Sequence, residues 1–111
     1  MESETNAVIL DKNDNVAIAV KKLQPGEKTI YFGGTEYKIT VKETIPVGHK
    51  VALCNISSGN PIIKYGTVIG VAINNIAAGH WVHIHNMKSM FDERSSNIDP
   101  ITGAPGDTPY I

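Results

Sequence analysis

The 111-residue chain has one cysteine, seven aromatic residues and no surplus of either charge, and each scarcity removes a class of function. A lone Cys54 can form no internal disulfide and leaves no second thiolate for a zinc knuckle. A disulfide-stapled secreted scaffold is therefore excluded, and a reducing cytoplasm is the expected location. Ten Lys plus Arg against eleven Asp plus Glu, with a pI near 6.4, provide none of the basic excess that phosphate-backbone binding uses, so nucleic acid is not an expected partner. The few aromatics make a poor stacking platform for bases or sugars. No apolar run approaches the roughly 20 residues of a membrane span, and Met1-Glu2-Ser3-Glu4 is acidic where a secretory leader is basic and then apolar. No membrane partner is expected. A nucleophile elbow, a P-loop and a Gly-x-Gly-x-x-Gly turn are also missing, so the chain lacks a complete catalytic set of its own.

What is present reads as mainly β. Residues 6–10 and 15–20 are aliphatic runs separated by Asp11-Lys12-Asn13-Asp14, whose side chains favour turns, and they predict a hairpin. Residues 29–32 and 36–41, separated by Gly33-Gly34, predict a second, because paired glycines supply the positive φ of a tight hairpin turn. No stretch before Met87 carries an uninterrupted helical period. A chain of this size buries roughly 65% of its unfolded surface, enough for one core without a structural metal.

A short motif organises the middle: an aliphatic residue, Gly three positions on, and another aliphatic three positions after that. It occurs as Ile45-x-x-Gly48-x-x-Val51, Ile56-x-x-Gly59-x-x-Ile62 and Ile76-x-x-Gly79-x-x-Val82, with a weaker copy at Leu23-x-x-Gly26-x-x-Thr29. Its physical reading is a buried anchor, a turn closed by Gly at positive φ, and re-entry into a strand. The copies are unevenly spaced, so they are corners of a compact β fold rather than solenoid repeats. Gly70 and Ala72 in the run after Lys64-Tyr65-Gly66 are read as close-packing positions, and Cys54 as a small buried hydrophobe. Residues 87–94 could form one helical turn. Residues 91–111, with three Pro and two Gly, are expected to be a tail or linker after a domain at 1–90.

Functional side chains concentrate at His80-Trp81-Val82-His83-Ile84-His85-Asn86. If residues 81–85 form a strand, His83 and His85 share a face while Val82 and Ile84 point to the core. Such a pair either shares a divalent metal or lies on a wet strand face. Asn86 either ends the strand or orients a ligand. His49-Lys50, just after the corner Gly48, is either a carboxylate-binding pair held at a rim or a solvated pair at a turn.

Asp14-Asn15-Val16-Ala17-Ile18-Ala19, Gly48-His49-Lys50-Val51-Ala52-Leu53, Ile62-Ile63-Lys64-Tyr65-Gly66 with Ile69-Gly70-x-Ala72, and Ile76-Ala77-Ala78-Gly79 with Val82-His83-x-His85-Asn86 occur in that order. Over residues 6–86 the chain thereby resembles the N-terminal SAF domain of the altronate and galactarate dehydratase family. The resemblance implies a compact SAF-type β-clip fold. It implies a role as small subunit or N-terminal domain of a sugar-acid hydro-lyase, which removes water from a hydroxy acid to give a 2-keto-3-deoxy acid with a divalent iron or manganese. A free-standing sugar-acid or metal-binding module is the alternative. The large catalytic domain of full-length members is absent, so a large dehydratase subunit is the implied partner, with homo-oligomerisation a further option. His49 and Lys50 match both branches of the family and Asn86 the altronate branch, which implies substrate binding. His83 and His85 match the altronate branch alone and are the implied metal ligands.

Overall fold

The computed structural model describes residues 5–89. The expected tail at 91–111 lies outside them. Nine strands, β1 (Ala7–Val8), β2 (Val16–Ala19), β3 (Gly26–Phe32), β4 (Thr35–Val41), β5 (Lys50–Ala52), β6 (Pro61–Lys64), β7 (Thr67–Ala72), β8 (Trp81–Val82) and β9 (Met87–Ser89), make up the regular structure of this region. They form a six-stranded sheet, ordered β4-β3-β1-β2-β5-β8, and a three-stranded sheet, ordered β6-β7-β9. Every pairing is antiparallel except β1 with β3. The mainly β, β-clip architecture read from the sequence is the one observed. Residues 87–89, however, pair with β7 as a strand rather than opening a helical turn.

Both expected hairpins form. Between β1 and β2 the Asp11 N–H donates to the Asp14 carboxylate, and the Asn13 N–H donates to that of Asp11. Between β3 and β4, Gly33 and Gly34 stand at φ 56° and 85°, the left-handed pair that a two-residue turn requires.

The corners carry the fold's internal logic. Gly48, Gly59 and Gly79 stand at φ 85°, 92° and 90°. In each the residue after Gly donates its N–H to the carbonyl two residues before Gly: His49 to Pro46, Asn60 to Ser57 and His80 to Ala77. That is a turn with its third residue in the left-handed region, the place for glycine. Each corner then docks on an alanine of β2, β7 or β5. The N–H of Gly48, Gly59 and Gly79 donates to the carbonyls of Ala19, Ala72 and Ala52, whose own N–H groups donate back to the carbonyls of His49, Asn60 and His80. The motif anchors also pair with one another. Leu23 exchanges two main-chain hydrogen bonds with Ile45, and Ile56 exchanges two with Ile76. All four are buried, as are Val51, Ile62 and Val82 at the far ends of the motifs.

The Asn-Ile pairs add a reciprocal clasp, the Asn55 side-chain oxygen accepting from Ala78 N–H and that of Asn75 accepting from Ser58 N–H. A second tie joins the two sheets: Asn15, immediately before β2, accepts from Ile63 N–H and donates to the Pro61 carbonyl through its side chain. The Asp14 carboxylate accepts from the N–H groups of Tyr65 and Gly66. It thereby holds Tyr65 at φ 61°, strained for a residue with a Cβ. Two apolar clusters result, one around Ile56, Ile62 and Ile76 and the other around Leu23, Ile30 and Ile45. Gly70 is a close-packing position, since a Cβ there would lie 2.4 Å from the Lys88 carbonyl oxygen. Cys54, expected to be buried, is exposed. Leu53 N–H still donates to the Asn15 carbonyl in the register of β2 and β5, but the Asn15 N–H turns away to the Ile63 carbonyl, and the ladder ends there.

Two corner glycines separate backbone strain from crowding. A Cβ on Gly59 meets nothing within 4 Å, whereas one on Gly79 would lie 2.2 Å from the Thr40 carbonyl oxygen. Gly59→Ala should cost about 1–3 kcal/mol from left-handed strain alone. Gly79→Ala should cost that plus roughly 1–3 kcal/mol of overpacking. Urea denaturation of both variants measures the difference, and equal losses would contradict the stated contact.

Candidate functional site

The ends of β5 and β8 lie side by side, Lys50 paired with Val82 and Val51 with Trp81. This register brings His49, at the start of β5, against the residues that follow β8. The His-rich segment is not the strand expected at 81–85. β8 ends at Val82, and residues 83–86 form a turn in which the N–H groups of Asn86 and Met87 donate to the His83 carbonyl. Asn86 shapes it from within. Its side-chain oxygen accepts from His83 N–H at 2.9 Å and its amide donates to the Trp81 carbonyl at 2.8 Å. With Asn86 buried, both ends of its amide serve the turn, so its observed role is positioning. Val82 is buried as expected. Ile84 is 69% exposed, because the turn throws it outward instead of into the core.

Four rings meet around Trp81. Its indole stacks on His83 at 5.5 Å with an interplanar angle of 7°, tilts against His85 at 5.3 Å and meets His49 edge-on at 5.6 Å. His49 and His83 are 4.7 Å apart by ring centroid. Trp81 Nε1–H donates to His49 Nδ1 at 3.2 Å. An Nδ1 that accepts leaves the proton of the neutral imidazole on Nε2. His49 therefore presents a donor on its other edge. Main-chain N–H of Trp81 donates to Glu43, which also bonds His80 Nδ1 at 3.0 Å. Trp81 and Glu43 organise the cluster, and sequence reasoning singled out neither.

Lys50, read from the sequence either as part of a carboxylate-binding pair at a rim or as solvated at a turn, is the largest fully buried side chain among the described residues, at 1% exposure. Its backbone lies in β5, next to the edge of the large sheet, between β2 and β8. Burial, with the charge of Lys64 second, pushes its ammonium down to about 7. His49 is lowered by burial and then by Lys50. His83 is lowered by burial and then by His49, Lys50 and His85. Its Nδ1 is buried with no hydrogen-bond partner. Glu43 feels burial most, which would raise it, yet the Trp81 N–H, the bond and charge of His80 and the charge of His85 together hold it below the ordinary carboxylate value. The structure thus brings His49, Lys50, His83 and His85 to one end of the β5–β8 pair. Among the described residues no three His, Cys, Asp or Glu side chains gather as a metal site.

Comparison with known proteins agrees over this same region. The family model described as the altronate/galactarate dehydratase SAF domain matches residues 5–90. The altronate dehydratase of Bacillus subtilis is 40% identical over 80 residues, which are 72% of this chain and 16% of that protein. Galactarate dehydratase (L-threo-forming) of Escherichia coli is 44% identical over 69 residues, 62% of this chain and 12% of that protein. The (2R)-sulfolactate sulfo-lyase subunit alpha of Paracoccus pantotrophus is 40% identical over 55 residues, 50% of this chain and 82% of that subunit. The chain spans less than a fifth of the dehydratases it matches.

Asn86→Ala leaves the His83 N–H and the Trp81 carbonyl without their partner and should lower stability by about 1–3 kcal/mol in urea denaturation. A side chain that merely faced a ligand would cost almost nothing. Lys50 gives the protein a pH dependence of known sign. Between about 7, where the folded state releases its proton, and about 10.4, where an unfolded lysine does, the unfolded chain holds the extra proton. Stability from this group therefore rises as pH increases through that window and is least below it. The urea midpoint of wild type minus that of Lys50→Met, followed from pH 6 to 10, should show that slope.

Proposed function

Because the chain belongs to the altronate/galactarate dehydratase SAF-domain family, we propose that it is the small subunit, or the N-terminal domain, of a sugar-acid hydro-lyase and completes the active site of a larger catalytic partner. The observation that carries this reading is the contrast in coverage: the segment is a small part of the dehydratases but 82% of a sulfo-lyase's alpha subunit. The same module therefore occurs within a long chain and as a subunit.

The geometry is consistent with completion rather than with independent catalysis. His49, Trp81 and His83 cluster at the end of the β5–β8 pair, with the fully buried Lys50 next to His49 in the chain. Dehydration beside a carboxylate needs an enclosed acid and base pair. In this reading His49 and Lys50 contact the hydroxy-acid substrate, Trp81 holds His49 in its donor tautomer, and Asn86 holds the turn that carries His83. The divalent iron or manganese expected from the resemblance is assigned to the larger partner, and no step is drawn through it here. This reading puts the complex in the cytoplasm, the location expected from the single cysteine. No helix among the described residues is long and apolar enough to cross a membrane.

The test is reconstitution. The purified chain is mixed with an altronate dehydratase lacking the matching segment, metal is supplied, and keto-acid formation from altronate is followed. Turnover should appear in the mixture and in neither component alone, and His49→Ala should reduce it by about 100-fold or more, the range for a lost charge-stabilising donor. Turnover by the chain alone, or tight binding of the hydroxy acid with no association between the chains, would replace this reading with that of a free-standing enzyme or binding module.

A further inference from the structure

The large sheet ends at β4, and no strand among the described residues lies beyond it. The other outer strands are short or interrupted: β8 has two residues, β9 has three, and β6 has four, opening on Pro61 and shifting register after Ile62. β4 has seven residues in unbroken register with β3, and Thr35, Glu36, Tyr37, Lys38 and Thr40 are exposed. A long regular edge of this kind is a template for another strand. Which of its main-chain groups face outward follows from β3. The carbonyls of Thr29 and Tyr31 accept from the N–H groups of Asn6 and Ile9 on the β1 side, so Lys28, Ile30 and Phe32 turn their main-chain groups to their β4 partners Ile39, Tyr37 and Thr35. By alternation the main-chain groups of Glu36, Lys38 and Thr40 turn outward. The corner at Gly79 closes the far end, where the Lys42 N–H donates to the Gly79 carbonyl and the Thr40 carbonyl lies against Gly79. The open stretch is residues 35–39, centred on Tyr37.

We propose that β4 pairs antiparallel with β4 of a second copy of this chain, about a two-fold axis at Tyr37. In that register Glu36 faces Lys38 of the partner subunit and Lys38 faces Glu36 of the partner subunit. The residues whose main-chain groups turn outward are the ones that meet, and each carboxylate lies opposite an ammonium. No neighbouring register does both. A slip of two residues sets Lys38 against Lys38 or Glu36 against Glu36, and a slip of one sets outward-turned groups against inward-turned ones. Lys38 Nζ donates to Thr29 Oγ1 at 3.2 Å, which spends one of its three N–H donors and leaves two for the facing carboxylate. Tyr37, 48% exposed, meets its equivalent as a non-hydrogen-bonded pair, the closer of the two kinds. Gly34 falls opposite Thr40 of the partner subunit, and a Cβ there would meet nothing within 4 Å, so the turn leaves room for the approaching strand. None of His49, Trp81 or His83 lies in the paired stretch, so this pairing stands or falls apart from the subunit reading.

The test follows the full chain alone by sedimentation equilibrium and by amide NMR across a wide range of concentration. A monomer–dimer equilibrium with a dissociation constant in the micromolar to millimolar range is expected, because two short strands bury less than a standard interface. Concentration-dependent shifts and hydrogen-exchange protection should centre on the Glu36 and Lys38 amides. Lys38→Glu sets a carboxylate against a carboxylate at two symmetric places and should weaken association at least about tenfold, as should Glu36→Lys. Combining the two substitutions exchanges the charges and restores both opposite pairs, so the double variant should associate nearly as well as wild type. Both positions are exposed, and the amide spectra of dilute samples show whether each variant keeps the monomer fold. A chain that stays monomeric at millimolar concentration would overturn the proposal, as would association that survives both single substitutions or that the double variant fails to restore. Protection of the Glu36 and Lys38 amides that is already complete at the lowest concentration would mean that another segment of the same chain covers the edge, and would overturn it too. Concentration-dependent shifts confined to residues outside β4 would place the contact elsewhere and have the same effect.

Discussion

A main-chain exchange repeated at three corners governs the rest of this molecule. In each, a glycine at positive φ turns its N–H toward the carbonyl of an alanine ending a distant strand run, and the next residue's carbonyl receives that alanine's N–H. The geometry works only if the chain reverses within one turn and if the receiving strand carries a small side chain, so Gly and Ala recur as partners: Gly48 with Ala19, Gly79 with Ala52, Gly59 with Ala72. The aliphatic anchors then meet across the interior, Leu23 on Ile45 and Ile56 on Ile76. His49 and His80 are the residues whose carbonyls complete two of these corners. The side chains that define the site are thus attached to the backbone's most constrained points.

Much of this was legible because the signals are local. A Gly-Gly step between aliphatic runs and a Gly three residues from a buried anchor each state the sign of φ that the turn needs, and the angles at Gly33, Gly34, Gly48, Gly59 and Gly79 agree. The site was legible in membership but not in geometry. Residues 81–85 satisfy the alternation of a strand, yet the ladder stops at Val82, and residues 83–86 form a turn in which the Asn86 side chain accepts from the His83 N–H. An asparagine's choice between ending a strand and building a turn depends on carbonyls and N–H groups that only the fold supplies. Of the two readings left open for Lys50, the solvated one fails: the side chain is 1% exposed, and its backbone pairs with Ile18 of β2 and Val82 of β8, residues far away in sequence.

The resulting electrostatics are unusual for a chain with balanced charge. Basic side chains bear on one another here, Lys50 on His49, Lys64 on Lys50, and His49, Lys50 and His85 on His83, while Glu43 is engaged with His80 and the Trp81 N–H. Net charge over the whole chain, −1, conceals this separation. Trp81 is the divider: its main-chain N–H serves Glu43, its indole N–H serves His49, and its face supports His83. A single residue therefore holds both a carboxylate and an imidazole.

The parallel pairing of β1 with β3, the reach of Asn15 to Ile63 and the joining of Leu23 to Ile45 and Ile56 to Ile76 have a kinetic consequence. Apart from the hairpins, few of these contacts can form until segments tens of residues apart have met, so loop-closure entropy is lost well before the interactions that offset it are made. The chain is accordingly a slow folder for its size, with a search dominated by topology rather than by local propensity. Ribosomal synthesis sharpens the point: β5 cannot complete its ladder until β8 has emerged, so His49 meets Trp81 and His83 only after most of the described residues have been made.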